Sequence, residues 1–150
     1  MIDLAHIHPM LMHFPLALLP VALSAQAITI ARGQSLFERS CTAQTGFWLT
    51  ILAAVSAIAA AVFGDQALDI AREAGVPMAQ MEGHEELGML SAWLLGRPGR
   101  SPHLLYRKQS TSRALTLAVV ISGVALLALL FTTVWFGGQL VYELGVNVKV

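Results

Sequence analysis

The chain has 150 residues, of which 56% are hydrophobic and 12% are charged, with a mean hydropathy of +0.67. Soluble domains usually carry about 25% charged residues, so this composition excludes an ordinary soluble domain and predicts a membrane protein. Nine basic and nine acidic residues give a net charge of zero, which does not favour nucleic-acid binding.

Three stretches contain no Asp, Glu, Lys or Arg: residues 4–31, 40–64 and 114–142. Each exceeds the roughly 20 residues that a helix needs to cross a bilayer. A fourth span is predicted at residues 77–96, because Pro77 suits a first helical turn and twenty residues form about 30 Å of helix. The alternative for this stretch is a re-entrant or surface helix.

The predicted fold is an all-α membrane protein, a single domain over residues 1–150. Its four transmembrane helices, at about 9–31, 43–64, 77–96 and 114–137, have short connections and should form an up-down-up-down bundle. A short helical extension is expected from Ala67 to Ala74. We find no internal repeat by sequence reading.

The basic residues indicate how the bundle is oriented. The two connections on one side, residues 32–39 and 97–113, hold seven of the nine Lys and Arg residues. The positive-inside rule places these connections in the cytoplasm. We therefore expect a multi-pass protein of the bacterial inner (cytoplasmic) membrane with both termini periplasmic.

This topology brings four of the five histidines, His6, His8, His13 and His84, to the outer side. Imidazoles just inside a bilayer are costly unless they are paired or bound, so they are candidates for function. Spans one and three are diagonal in such a bundle. His13 and His84 are therefore predicted to ligate one haem iron or other metal from opposite sides, with His8 as an alternative ligand or a propionate partner.

The small residues Ala17 and Gly88 follow His13 and His84 by four positions, one helical turn deeper. They are predicted to leave room for a porphyrin plane. Bis-His ligation leaves neither axial site open for a substrate, so the predicted role is electron transfer.

Several segments resemble a known family. They are the His-Pro…His-Phe-Pro pattern at 8–15, Gly64-Asp65, the stretch 83–88 around His84, and the closing stretch 137–146 that begins with Gly137-Gly138. The chain resembles the small bacterial four-span membrane proteins grouped as domain of unknown function 2231 (DUF2231). The resemblance implies a four-span fold and, by analogy with respiratory and c-type cytochrome systems, favours haem b.

Two alternatives to a haem b subunit stay open. Met10, Met12, Met78 and Met81 accompany the histidines, and thioether plus imidazole ligands suit copper in its Cu(I) state. A cofactor-free anchor or assembly subunit is the other alternative, with the histidines making interhelical hydrogen bonds. The sequence contains no arrangement typical of a hydrolase, so a non-catalytic subunit of an oxidoreductase complex is expected.

The expected partners follow from the haem hypothesis. They are membrane lipid, a periplasmic cytochrome or redox enzyme, and quinone or another membrane subunit. We expect the chain to be one subunit of a larger membrane complex.

Overall fold

The computed structural model describes residues 4–96 and 112–146, and these residues form four α-helices with no strand among them. The helices are α1 (Leu4–Ala31), α2 (Cys41–Glu73), α3 (Met78–Gly96) and α4 (Arg113–Tyr142). The all-helical prediction is confirmed. The short helical extension expected at 67–74 is the continuation of α2, which ends at Glu73 with Ala74 as its cap.

Local sequence signals explain where the helices begin and end. The hydroxyl groups of Ser40 and Ser112 accept hydrogen bonds from the first-turn amides of α2 and α4. After α2 the chain turns at Gly75, whose φ of 89° is the left-handed conformation that glycine adopts without strain. Pro77 then precedes α3.

The helices are arranged in a ring in which α1 packs against α2 and α4, and α3 packs against the same two helices. Neighbours run antiparallel: Gly64, late in α2, lies beside His8, early in α1, whereas Gly46, early in α2, lies beside Gln26 of α1. The helices therefore form an up-down-up-down bundle with α1 and α3 on a diagonal.

Small residues let α1 and α2 approach closely. The buried face of α2 consists largely of alanine and glycine: Ala43, Gly46, Ala53, Ala57, Ala60, Ala67 and Ala71. Close packing of this kind is a main source of stability between helices in membranes. The close packing on α2 also sets the rotation of α1 about its own axis. That rotation determines which side chains of α1 face the centre of the bundle.

Two apolar clusters fill the interior. The central cluster consists of Leu19, Ala53, Ala57, Leu95 and Leu130. The end cluster consists of Leu68, Ala71, Met81, Leu140 and Val146. We call the end of the bundle where α1 starts and α4 finishes the His end; the end cluster lies there.

Three helices are long and apolar enough to cross a membrane: Ile7–Ala31 within α1, Cys41–Glu73 and Arg113–Tyr142. Many of their large hydrophobic side chains are exposed, including Ile121 at 66% and Trp135 at 70%. This outward-facing apolar surface suits contact with lipid. Helix α3 has 19 residues and is not among the three.

Candidate functional site

A cavity of about 690 Å³ lies between the four helices at the His end. It falls within the range of about 300–1,000 Å³ that is typical of small-molecule and cofactor sites. All four helices contribute to its lining, which is mostly apolar but includes His8, His13 and His84. The histidines of the predicted site are therefore brought to one cavity.

His8 is held by α2. Its Nδ1 lies 2.7 Å from the carbonyl oxygen of Ala60. Its ring rests on Gly64, where a Cβ atom would lie only 3.0 Å from the same Nδ1. A carbonyl oxygen can only accept, so Nδ1 carries the hydrogen, and in the neutral ring Nε2 presents its lone pair. The absence of a side chain at Gly64 makes this approach possible.

His84 is held in the same way by α4. Its Nδ1 donates to the carbonyl oxygen of Thr133 at 3.0 Å. Its ring rests on Gly137, where a Cβ atom would lie 2.8 Å from the His84 Cε1. The hydroxyl of Thr133 also lies 3.3 Å from that of Ser91, one more link between α3 and α4. The carbonyl again fixes the tautomer that leaves Nε2 unprotonated.

The two imidazoles meet across the bundle. Their ring centroids are 5.9 Å apart and their planes are inclined by 86°. Metal-binding histidines typically donate the hydrogen of their other ring nitrogen to a carbonyl or carboxylate, which orients the ring. His8 and His84 both have this arrangement, which leaves Nε2 of each neutral ring for a ligand.

The other predicted site residues lie in different surroundings. His13 lines the cavity, but it is exposed and its Nδ1 contacts the Pro9 carbonyl of its own helix at 2.6 Å. Gly88 lines the cavity, whereas Ala17 is exposed and is not among the described lining residues. The assignment of His13 and Ala17 to a cofactor stays a prediction; their placement favours His8 over His13 as the partner of His84.

The methionines lie in three kinds of surroundings. Met12 lines the cavity, and so does Met89, which sequence reasoning did not select. Met10 and Met78 are more than half exposed, at 58% and 56%, and Met81 is buried in the end cluster. Two thioethers, one each from α1 and α3, are thus available beside the imidazoles.

The two hairpins share a local construction around their histidines, which we call the repeat. Hairpin α1–α2 and hairpin α3–α4 have the same construction: a histidine early in the first helix donates to a carbonyl of the second helix, four residues before the glycine under its ring. A short sequence signal accompanies this match, since Phe-Gly-x-Gln occurs at both 63–66 and 136–139. That signal could have revealed the repeat.

The repeat extends over the cavity. We align α1 with α3 by residue number so that His8 corresponds to His84. We align α2 with α4 so that Gly64 corresponds to Gly137. Under these alignments, eighteen of the 22 described lining residues form nine equivalent pairs. The pairs are His8/His84, Pro9/Glu85, Met12/Gly88, His13/Met89, Ala61/Val134, Gly64/Gly137, Asp65/Gly138, Ala67/Leu140 and Leu68/Val141. The cavity thus lies between two equivalent hairpins, and each supplies one oriented imidazole.

Within residues 4–96 and 112–146, no group of three or more His, Cys, Asp or Glu side chains is arranged to hold a metal ion. His103, on the predicted cytoplasmic side, lies outside the described residues, as does the side chain of His6.

Comparison with known proteins identifies the family. The sequence model of the predicted membrane proteins designated DUF2231 matches residues 5–150. The chain therefore belongs to this family, as the resemblance indicated. No curated protein and no solved structure matches it.

Proposed function

We propose that this DUF2231 protein is a membrane-anchored b-type cytochrome subunit that binds one haem between its two hairpins and transfers electrons. His8 and His84 are the proposed axial ligands. The observation that carries the proposal is their equivalence: each imidazole has its Nδ1 hydrogen donated to a backbone carbonyl and its Nε2 available, and both line one cavity.

The spacing of the rings supports a shared metal. A bond of about 2.0–2.1 Å from metal to imidazole nitrogen puts two imidazole centroids about 6.4 Å apart when they ligate from opposite sides. The observed separation is 5.9 Å. Two imidazoles also suit a metal whose other ligands come from a porphyrin.

Both axial positions would be filled, which favours electron transfer over substrate chemistry. The proposed partners are a periplasmic cytochrome or redox enzyme on one side and quinol or another membrane subunit on the other. Most of the residues that the structure describes lie within the four helices, so we propose that the protein works as a subunit of a larger complex.

The proposed topology places the His end at the periplasmic face of the bacterial inner membrane. The concentration of Lys and Arg in the connections at the opposite end supports this orientation. Helix α3 would be the fourth span: its 19 residues correspond to about 28 Å, close to the hydrocarbon thickness of about 30 Å.

A copper site is the second candidate, and one observation favours it. Met12 and Met89 line the cavity together with the three histidines. Thioether and imidazole ligands together suit Cu(I). On this hypothesis the cavity would hold a bare ion rather than a macrocycle.

The test is a reduced-minus-oxidised visible spectrum of the detergent-purified protein, with metal analysis of the same sample. We expect a low-spin haem b spectrum that is lost to the same extent in His8→Ala and His84→Ala, with His103→Ala as the control that retains it. Stoichiometric copper without haem would favour the second candidate. A folded preparation that contains neither haem nor copper would favour the remaining alternative, an anchor or assembly subunit.

A further inference from the structure

Apolar side chains line the cavity toward the end of the bundle. Leu68, Ala71, Leu140 and Val146 belong to the end cluster and also line the cavity. They lie beyond Gly64 and Gly137 along the chain, so the cavity is apolar toward that end. A charged group that passed through them would lose its hydration without gaining a partner. The charged edge of a ligand must therefore lie toward a side of the bundle.

The two hairpins meet along two sides of the cavity, the α1/α4 cleft and the α2/α3 cleft. The residues of one cleft are equivalent to those of the other under the repeat. The α1/α4 cleft is lined by Pro9, His13, Val134, Gly138 and Val141, and the α2/α3 cleft by the equivalent Glu85, Met89, Ala61, Asp65 and Leu68. Contacts deeper in the bundle fix this assignment: Leu23 packs on Gly123 between α1 and α4, and Ile58 packs on Gly96 between α2 and α3.

The α2/α3 cleft is acidic. Asp65 and Glu85 line it, and the nearby Arg72 is bonded to Glu85 at 3.1 Å and to Asp69 at 3.0 Å. Three carboxylates and one guanidinium give this group a net charge of −2. An anion placed here would meet like charge.

The α1/α4 cleft has the opposite character. None of its described lining residues is acidic, and its polar side chains are His13 and, at the rim, Tyr142. His13 is exposed and its Nδ1 lies against the Pro9 carbonyl. A histidine ring with hydrogens on both nitrogens donates through Nε2 while Nδ1 keeps such a bond. Tyr142 is 91% exposed and can donate its hydroxyl hydrogen.

We propose that the α1/α4 cleft binds the carboxylate-bearing edge of the planar cofactor, and that His13 holds it there by a charge-assisted hydrogen bond. This inference rests on the proposed function, because it takes haem b, a flat ligand with two propionates, as the occupant. It gives His13 a positioning role that differs from that of His8 and His84, and it orients the ligand within a cavity whose two sides differ in charge.

The test compares haem with its dimethyl ester, which has the same ring and metal but no carboxylate. Affinities for both are measured by titrating the purified apoprotein. We expect the unmodified protein to bind haem at least about tenfold more tightly than the ester, as one charge-assisted hydrogen bond allows. In His13→Ala the ratio of haem affinity to ester affinity should fall to near one. Haem should bind more weakly, and the affinity for the ester should stay the same. His13→Gln, whose amide still donates, should keep part of the preference, and Met10→Ala, exposed on the same helix, should keep all of it.

The outcomes separate the two proposals. Failure of the unmodified protein to bind either compound would overturn the haem function and this inference with it. An unchanged preference in His13→Ala would overturn the role of His13 and leave the haem function standing. Loss of both compounds in a folded His13→Ala protein would also overturn it, because His13 would then be an axial ligand.

Discussion

The rings of His8 and His84 lie with their centroids 5.9 Å apart and their planes 86° from parallel. Each ring is fixed by a carbonyl of a different helix, Ala60 in α2 and Thr133 in α4. Neither imidazole can rotate about its Cβ–Cγ bond without breaking that hydrogen bond. The perpendicular arrangement should therefore persist when a ligand is bound.

This angle gives a spectroscopic prediction for the haem-loaded protein. Perpendicular axial imidazoles leave two iron d orbitals nearly equal in energy, whereas parallel ones split them, because axial ligands set the electronic structure of the iron. We expect the oxidised protein to give a strongly anisotropic low-spin electron paramagnetic resonance signal. A rhombic signal would show parallel rings and contradict the ligand pair. Met10→Ala, exposed on the same helix, serves as the control and should give the same signal as the unmodified protein.

The two glycines under the histidine rings should tolerate no side chain. A Cβ atom at Gly64 or Gly137 would lie 3.0 Å or 2.8 Å from the imidazole above it. We expect Gly64→Ala and Gly137→Ala each to destabilise the fold by about 1–3 kcal/mol, as overpacking does, and to lower cofactor retention. Thermal unfolding and the visible spectrum measure the two effects.

The matched control is Gly83→Ala, since a Cβ atom there meets nothing within 4 Å and the residue is exposed on α3. This variant should retain both stability and cofactor. Equal behaviour of all three variants would mean that the rings do not rest on Gly64 and Gly137.

The fold could be predicted from the sequence because the length of apolar helix needed to cross a bilayer applies to each segment separately. Charge-free runs long enough to cross a bilayer indicated α1, α2 and α4 without any tertiary information. Helix α3 was predicted from Pro77 and segment length. Its existence as a helix is confirmed, while its insertion stays a prediction.

The site was predicted only in part because it depends on helix rotation. His8 and His13 are five residues apart on α1 and therefore point about 140° apart, so only one of them can face His84 directly. The alanine and glycine face of α2 selects His8, through contacts that sequence periodicity does not specify. The equivalence of the hairpins was missed for a similar reason: it consists of backbone carbonyls and ring contacts, with only Phe-Gly-x-Gln visible in the sequence.

The proposed orientation can be tested with the single native cysteine. Cys41 is exposed at the start of α2, at the end of the bundle opposite the histidines. We expect a membrane-impermeant maleimide to label it in inverted membrane vesicles but not in intact spheroplasts. A Cys41→Ser, Gln66→Cys variant, with the thiol at the His end, should give the reverse pattern. Labelling of Cys41 in spheroplasts would contradict periplasmic termini.

The ion pair between Arg72 and Glu85 joins α2 to α3 at the edge of the cavity. Its two side chains are 34% and 36% exposed, so solvent screens their attraction. We expect a double-mutant cycle of Arg72→Gln and Glu85→Gln, measured by thermal unfolding in detergent, to give a coupling of about 0.2–1 kcal/mol. The control pair is Arg72 with Asp69, whose side chain is 69% exposed, and its coupling should be smaller. A coupling above about 2 kcal/mol for Glu85, or a larger one for Asp69, would contradict a solvent-screened link between α2 and α3.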